Sequence, residues 1–164
     1  MTPQHHILQR RIDTPLGPLT ATRSAAGLSG LWFDDQKHHP GPLAVPVDDG
    51  SDPVLSAAAV ALAAYFAGQP YRLPALDPSG TEFQRQVWQA LLTIPAGQPA
   101  SYGELAQRLG RASAARALGA AVGRNPISVL VPCHRVVGAD GSLTGYAGGL
   151  ARKQALLSLE GRGA

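Results

Sequence analysis

Apolar and polar positions divide the chain into two differently patterned halves. In the first, Ile7 to Ile12 and Leu19 to Thr22 read as strands joined through Thr14-Pro15-Leu16-Gly17-Pro18, and Leu28 to Phe33 reads as a third strand after Gly27. Residues 34 to 52 are polar or rich in Pro and Gly and predict an irregular connection. Asp52 has the character of an N-cap, with Pro53 at the first helical position. The helix it opens carries Val54, Ala58, Leu62, Tyr65 and Phe66 on one side and stops at Gly68. Residues 69 to 80 hold Pro70, Pro74, Pro78 and Gly80 and predict a linker. The division is drawn within it, at 1–76 and 77–164.

The second half is helical in pattern. Thr81 and Gln84 have capping-box spacing ahead of the stripe Phe83, Val87, Ala90 and Leu91, and Ser101 with Glu104 repeats the device before Tyr102 to Leu109. Gly110 closes that helix, and Ser113 is placed to cap another from Ala114 to about Val122. Together these outline a helix-turn-helix. The apolar run Ile127 to Val131 predicts a strand ending at Pro132, Val136-Val137 a second short β segment, and Leu150 to Leu159 a final helix.

Charge sharpens the contrast between the halves. Residues 1 to 80 carry five Lys/Arg against seven Asp/Glu, whereas residues 81 to 164 carry nine against four, a net of +5. A basic segment of that size suits a polyanionic partner, although ordinary solubility also accommodates it. The predicted helix after Ser113 adds a second signal. Ala114, Leu118, Ala121 and Val122 can face a core, which leaves Ser113, Arg116, Ala117 and Ala120 opposite, with Arg124 just beyond. A face so nearly smooth either approaches a DNA groove or is buried against neighbouring protein.

One cysteine in 164 residues rules out an internal disulfide and a cysteine-based zinc cluster, and fits a reducing compartment. The opening MTPQHHILQRR lacks the apolar core of a signal peptide. The longest apolar stretch, about 55 to 67, is roughly half of what a membrane span needs. The expectation is a cytoplasmic monomer without membrane association, cofactor or metal.

The sole thiol, Cys133, stands where the apolar run ends, followed by His134 and Arg135. A lone cysteine is commonly a small buried hydrophobe. Adjacent positive charge, however, lowers a thiol pKa and raises its thiolate fraction, so Cys133 is expected to titrate below about 8.5. Neighbouring strand residues point to opposite faces, so His134 serves Cys133 as a base only through a sharp turn or a water. Glu160 shares a helical side with Leu156 and Leu157 and is the best-placed acid to orient that histidine, its alternative being a solvated helix end. Asn125 either braces a turn or fixes the backbone near the thiol. Gly145-Tyr146-Ala147-Gly148-Gly149 is either the wall of a flat ligand's pocket or a plain Gly-rich loop.

PCHRV at 132 to 136, SYGELA at 101 to 106, AARALG at 114 to 119, RNP at 124 to 126 and GYAGGL at 145 to 150 together closely resemble the O6-alkylguanine-DNA alkyltransferase family. The resemblance is strong over residues 79 to 160. It implies a ribonuclease-H-like α/β N-terminal domain, built as a small antiparallel sheet plus a helix. A mainly α, winged-helix-like C-terminal domain with a helix-turn-helix follows. The implied activity is direct-reversal repair, in which the alkyl group of O6-alkylguanine, and of O4-alkylthymine, passes irreversibly to Cys133.

By the same resemblance His134 deprotonates Cys133 through a water, Glu160 orients His134, and Asn125 supports the active turn. Tyr102 assists departure at guanine N3 and crowds a phosphate. Arg116 enters the duplex from the minor groove to fill the gap left by the flipped base, on a helix whose Ser113, Ala117, Ala120 and Arg124 meet the DNA. Tyr146, Ala147, Gly148, Val136 and Arg135 line the pocket. Ala147 replaces a serine that binds the lesion oxygen in some members. The cysteine pair of a structural zinc site found in others is missing, and His5, His6, His38 and His39 are no substitute. A helix-turn-helix regulator and a cysteine hydrolase are the competing readings. The first has no use for so many polar groups around one thiol, and the second none for a basic surface.

Overall fold

The computed structural model describes residues 5–162, and the first four residues of the opening segment read above lie outside the described residues. The alternating patterns near the start form a three-stranded antiparallel sheet, ordered β1 (Leu8–Ile12), β2 (Leu19–Arg23), β3 (Leu28–Phe33). Ile12 pairs with Leu19, and Leu19 with Phe33, so the sheet register brings apolar side chains together. All six residues of β3 are buried.

Helix α1 (Pro53–Phe66) packs on this sheet. Asp52 caps it, accepting from the Leu55 amide at 2.9 Å, while Arg23 donates to the same carboxylate at 2.9 Å. The buried face is Leu55, Ala58, Ala61, Leu62 and Tyr65. Val54 and Phe66, expected on that face, are only half-buried, because the sheet draws in a stripe shifted by one residue at the first turn. Gly68 ends the helix at φ 70°, a left-handed conformation that glycine adopts without a Cβ penalty.

Two compact units result, Met1–Ser79 with Pro126–Leu130 and Gly80–Asn125 with Val131–Ala164. The division thus falls three residues after the one drawn from sequence. It also assigns to the first unit a five-residue excursion that sequence reading keeps with the second. Within the first unit, Leu31 donates to the Pro126 carbonyl at 2.8 Å and accepts from Ser128 at 2.9 Å.

The excursion corrects a second expectation. Residues 127 to 131 are all buried, yet they do not form a strand. Only Ile127 bridges to Leu31, after which the chain turns with Val129 at φ 70°. A β-branched residue resists that conformation. The buried side chains of Ile127, Val129 and Leu130 and the pairing to Leu31 outweigh local strand preference here.

The second unit contains α2 (Glu82–Leu91), β4 (Ala100–Ser101), α3 (Tyr102–Arg108), α4 (Ala115–Gly123), a 3-10 turn at Cys133–Arg135, β5 (Val136–Val137) and α5 (Leu150–Arg162). Both expected capping boxes form, at Thr81–Gln84 and Ser101–Glu104. Ser113 does not cap α4. That helix starts from Ala114 with no side-chain cap bond, and Ser113 is exposed. The α2 core includes Trp88, absent from the expected stripe, whose indole N–H donates to the Ala121 carbonyl at 2.8 Å and ties α2 to α4. Phe83 and Ala90 are only half-buried. Strands β4 and β5 pair in parallel, placing the residues after the 3-10 turn beside the head of α3. Among the described residues no helix is long and apolar enough to cross a membrane, and no group of three or more His, Cys, Asp or Glu is arranged to hold a metal ion.

A candidate acceptor site on a buried 3-10 turn

The acceptor region is built by a change of backbone. After Pro132 the chain enters a 3-10 turn rather than leaving a strand, with Cys133 donating its amide to Val131 at 2.8 Å and Arg135 to Pro132 at 3.0 Å. This tight turn keeps Cys133, His134 and Arg135 all buried within the unit. Asn125 braces the entry from its own side chain, donating from Nδ2 to the Val131 carbonyl at 2.8 Å. It also hydrogen-bonds the Cys133 thiol and favours its thiolate.

The charges behind the turn converge on one carboxylate. Glu160, on the inner face of α5, lies 2.5 Å from His134 Nε2. Arg135 reaches the same group with Nε at 2.9 Å and Nη2 at 3.2 Å, and its Nη1 donates to the Ile94 carbonyl at 2.6 Å. The solvated-end reading of Glu160 is thereby excluded, since its side chain is 4% exposed. Arg135 departs from the pocket wall expected for it: its fork is spent on Glu160 and Ile94, holding the acid that holds His134.

Titration follows burial. Desolvation pushes the Cys133 thiol up, against the opposing pull of Asn125 and Lys153, so the expected depression is not what the resting site shows. The adjacent charges do not deliver it because the cost of burying a thiolate outweighs them. Burial lowers the His134 imidazole, with Glu160 pulling it back up and the Arg135 and Lys153 charges lowering it further. Burial thus favours the neutral form of the imidazole.

Other singled-out residues fall into two places. Tyr146 meets His134 edge-to-face with ring centroids 6.4 Å apart, and the Thr144 hydroxyl donates to the Tyr102 hydroxyl at 3.3 Å. Gly148 is buried and accepts from Arg152 at 3.1 Å, and Ala147 is half-buried. Val136, fully buried, leads from the turn into β5. Elsewhere in the unit, Arg116, Ala117 and Ala120 on α4 are exposed, as are Ser113 just before the helix and Arg124 just after it, so the smooth face is not packed against protein. Sequence reading passed over Lys153, a completely buried lysine on α5. Its spacing of three from Leu156 and seven from Glu160 is the available signal, since that stripe is the inward one.

A family model described as 6-O-methylguanine DNA methyltransferase, DNA binding domain, matches residues 82–162. A second, described as the ribonuclease-like domain of 6-O-methylguanine DNA methyltransferase, matches residues 7–75. A methylated-DNA-protein-cysteine methyltransferase of Mycobacterium tuberculosis is 49% identical over 152 residues, 92% of this chain and 90% of the relative. One of Methanosarcina acetivorans is 43% identical over 91% of this chain and 95% of the relative. Among solved structures, Mycobacterium tuberculosis OGT in complex with DNA superposes with a TM-score of 0.87 at 47% identity, covering 96% of this chain and 95% of that one.

Proposed function

Because the chain belongs to the O6-alkylguanine-DNA alkyltransferase family, also called methylated-DNA-protein-cysteine methyltransferases, we propose that Cys133 is the acceptor through which it repairs alkylated DNA. The observation that carries this reading is the buried sequence of contacts from Cys133 through its turn to His134 and Glu160. With Nε2 of His134 committed to Glu160, the thiol proton passes by way of a water to Nδ1. The thiolate attacks the alkyl carbon in line, and the S–C bond forms as the C–O6 bond breaks. The electron pair stays on the purine, which takes up one proton, matching the one the thiol gave up, to become guanine. Thioether formation has no mild reversal, so each molecule acts once.

Recognition is assigned to the rest of the second unit. Arg116, alone among small side chains on α4, enters the minor groove and fills the stack vacated by the flipped nucleotide, for which a planar guanidinium is suited. Ser113, Ala117 and Ala120 permit close approach, and Arg124 takes a phosphate. Tyr102 assists guanine departure at N3. Tyr146, Ala147 and Gly148 bound the base, and the Val136 carbonyl presents an acceptor to its edge. With alanine at 147, the lesion oxygen takes its donor from backbone. The setting is cytoplasmic and the acting form a monomer that needs no cofactor.

Incubation with a duplex carrying one O6-methylguanine, followed by intact-mass measurement and peptide mapping, tests the proposal. One added methyl group, on Cys133, with loss of further reactivity is the expected result. Repeated turnover, or a methyl on another residue, overturns it.

A further inference from the structure

Lys153 is completely buried, and no ion pair among the described residues includes it. A buried ammonium is expensive unless its N–H groups are satisfied. Two are: Nζ donates to the Val136 carbonyl at 2.6 Å and to the Thr144 carbonyl at 2.9 Å. These carbonyls belong to different walls. Val136 begins β5 directly after the Cys133–Arg135 turn, and Thr144 opens the loop that carries Tyr146, Ala147 and Gly148.

The surroundings give the charge a use. The titratable and charged groups near the thiol are His134 and Arg135 on the turn, and Lys153 and Glu160 on α5. Glu160 is taken up by His134 and Arg135. Lys153 and Cys133 interact electrostatically in both directions, each charge favouring the other. Lys153 is thus the cation on the inner face that no carboxylate pairs, and an ionised Cys133 would balance it.

We propose that Lys153 is a positioning residue for alkyl transfer, clamping the strand after the acceptor turn to the substrate loop and supplying the buried positive charge that favours the Cys133 thiolate. The proposal rests on the alkyl-transfer reading for its purpose, but its physical content is independent of that reading.

Because Cys133 is the sole cysteine, a sample labelled with 13Cβ-cysteine gives one thiol resonance whose titration by NMR reports it alone. Lys153→Met keeps the apolar stem and removes the charge, and Lys153→Arg keeps the charge. The Met variant is expected to titrate about one unit higher than the parent, a roughly tenfold loss of thiolate at fixed pH, and the Arg variant close to the parent. Identical titrations for the Met variant and the parent overturn the proposal.

Should the Met variant fail to fold, the reciprocal measurement uses the intact lysine. The Lys153 ammonium, followed by 13Cε-lysine labelling, should titrate lower in Cys133→Ser than in the parent. An unchanged lysine titration overturns the proposal. A parent that takes no alkyl group from O6-methylguanine DNA would instead remove the alkyl-transfer reading, and both titrations would still decide whether lysine and thiol are coupled.

Discussion

The exposed face of α4 and the inner face of α5 use the same chemical types for opposite ends. On α4, Arg116 stands exposed among alanines, and Arg124 follows just past the helix end, also exposed. Inside, Arg135 of the acceptor turn and Lys153 of α5 are buried, each bound to named oxygens within 2.9 Å. Outward cations can exchange counterions for phosphates, at an energy that depends on salt. Inward cations cannot leave, and they fix a carboxylate and three carbonyls. Net charge counts both groups equally, so a basic composition overstates the surface offered to DNA.

That contrast predicts unequal costs of mutation. The largest effect is expected for Glu160→Ala, which strips His134 and Arg135 of their shared acceptor. Leaving Arg135 buried and unpaired should destabilise the protein by about 3–5 kcal/mol, measurable by denaturant unfolding. A loss below about 0.5 kcal/mol, the range of ordinary surface changes, would show that water replaces the carboxylate and that the cluster is not closed.

Acid should expose the same cluster more gently. The buried imidazole of His134 has its pKa lowered in the folded protein, so below the unfolded value of about 6.5 the unfolded chain binds more protons. Stability should therefore fall as pH drops from 6.5 towards the lowered value. His134→Gln should flatten that limb, and an unaltered limb in this variant would assign the acid sensitivity elsewhere.

Helix caps give a smaller, paired comparison. Ser101→Ala removes a hydroxyl that accepts from the Glu104 amide at 3.1 Å and should cost about 1 kcal/mol. Ser113→Ala removes no such bond and should leave stability within about 0.5 kcal/mol. Equal thermal shifts for the two would contradict the uncapped start of α4.

The success of one cap and the failure of another mark what the chain reveals by itself. Asp52 with Pro53, Thr81 with Gln84 and Ser101 with Glu104 act across three residues, so local sequence suffices to place them. Ser113 has the right type, but the turn before α4 fixes Ala114 in the cap position instead. Ile127 to Val131 has every local mark of a strand. Its course is set by pairing with Leu31, nearly a hundred positions earlier, which no local pattern encodes.

Candidate chemistry was legible in the same uneven way. Cys133 and His134 stand out as a single thiol and its neighbour, whereas pattern alone leaves Glu160 open between an inward acid and a solvated helix end, and the family resemblance supplies the roles. Arg135 was misplaced because its partners, Glu160 and Ile94, lie far along the chain. Lys153 was passed over because a lysine in a helix is ordinarily exposed. Burial also reversed the direction expected for the thiol, a tertiary effect that adjacent charges could not disclose.

The division of labour between the two faces is tested most directly by Arg116→Ala, comparing the rate of Cys133 alkylation by free O6-benzylguanine with that by an O6-methylguanine duplex. The side chain is exposed and off the acceptor turn, so the free-base rate should match the parent within about twofold. The duplex rate should fall by about tenfold or more, equivalent to at least ~1.4 kcal/mol of lost transition-state stabilisation. Equal losses on both substrates would mean that Arg116 supports the acceptor site itself, and would contradict the separation of an outward DNA-binding face from an inward chemical one.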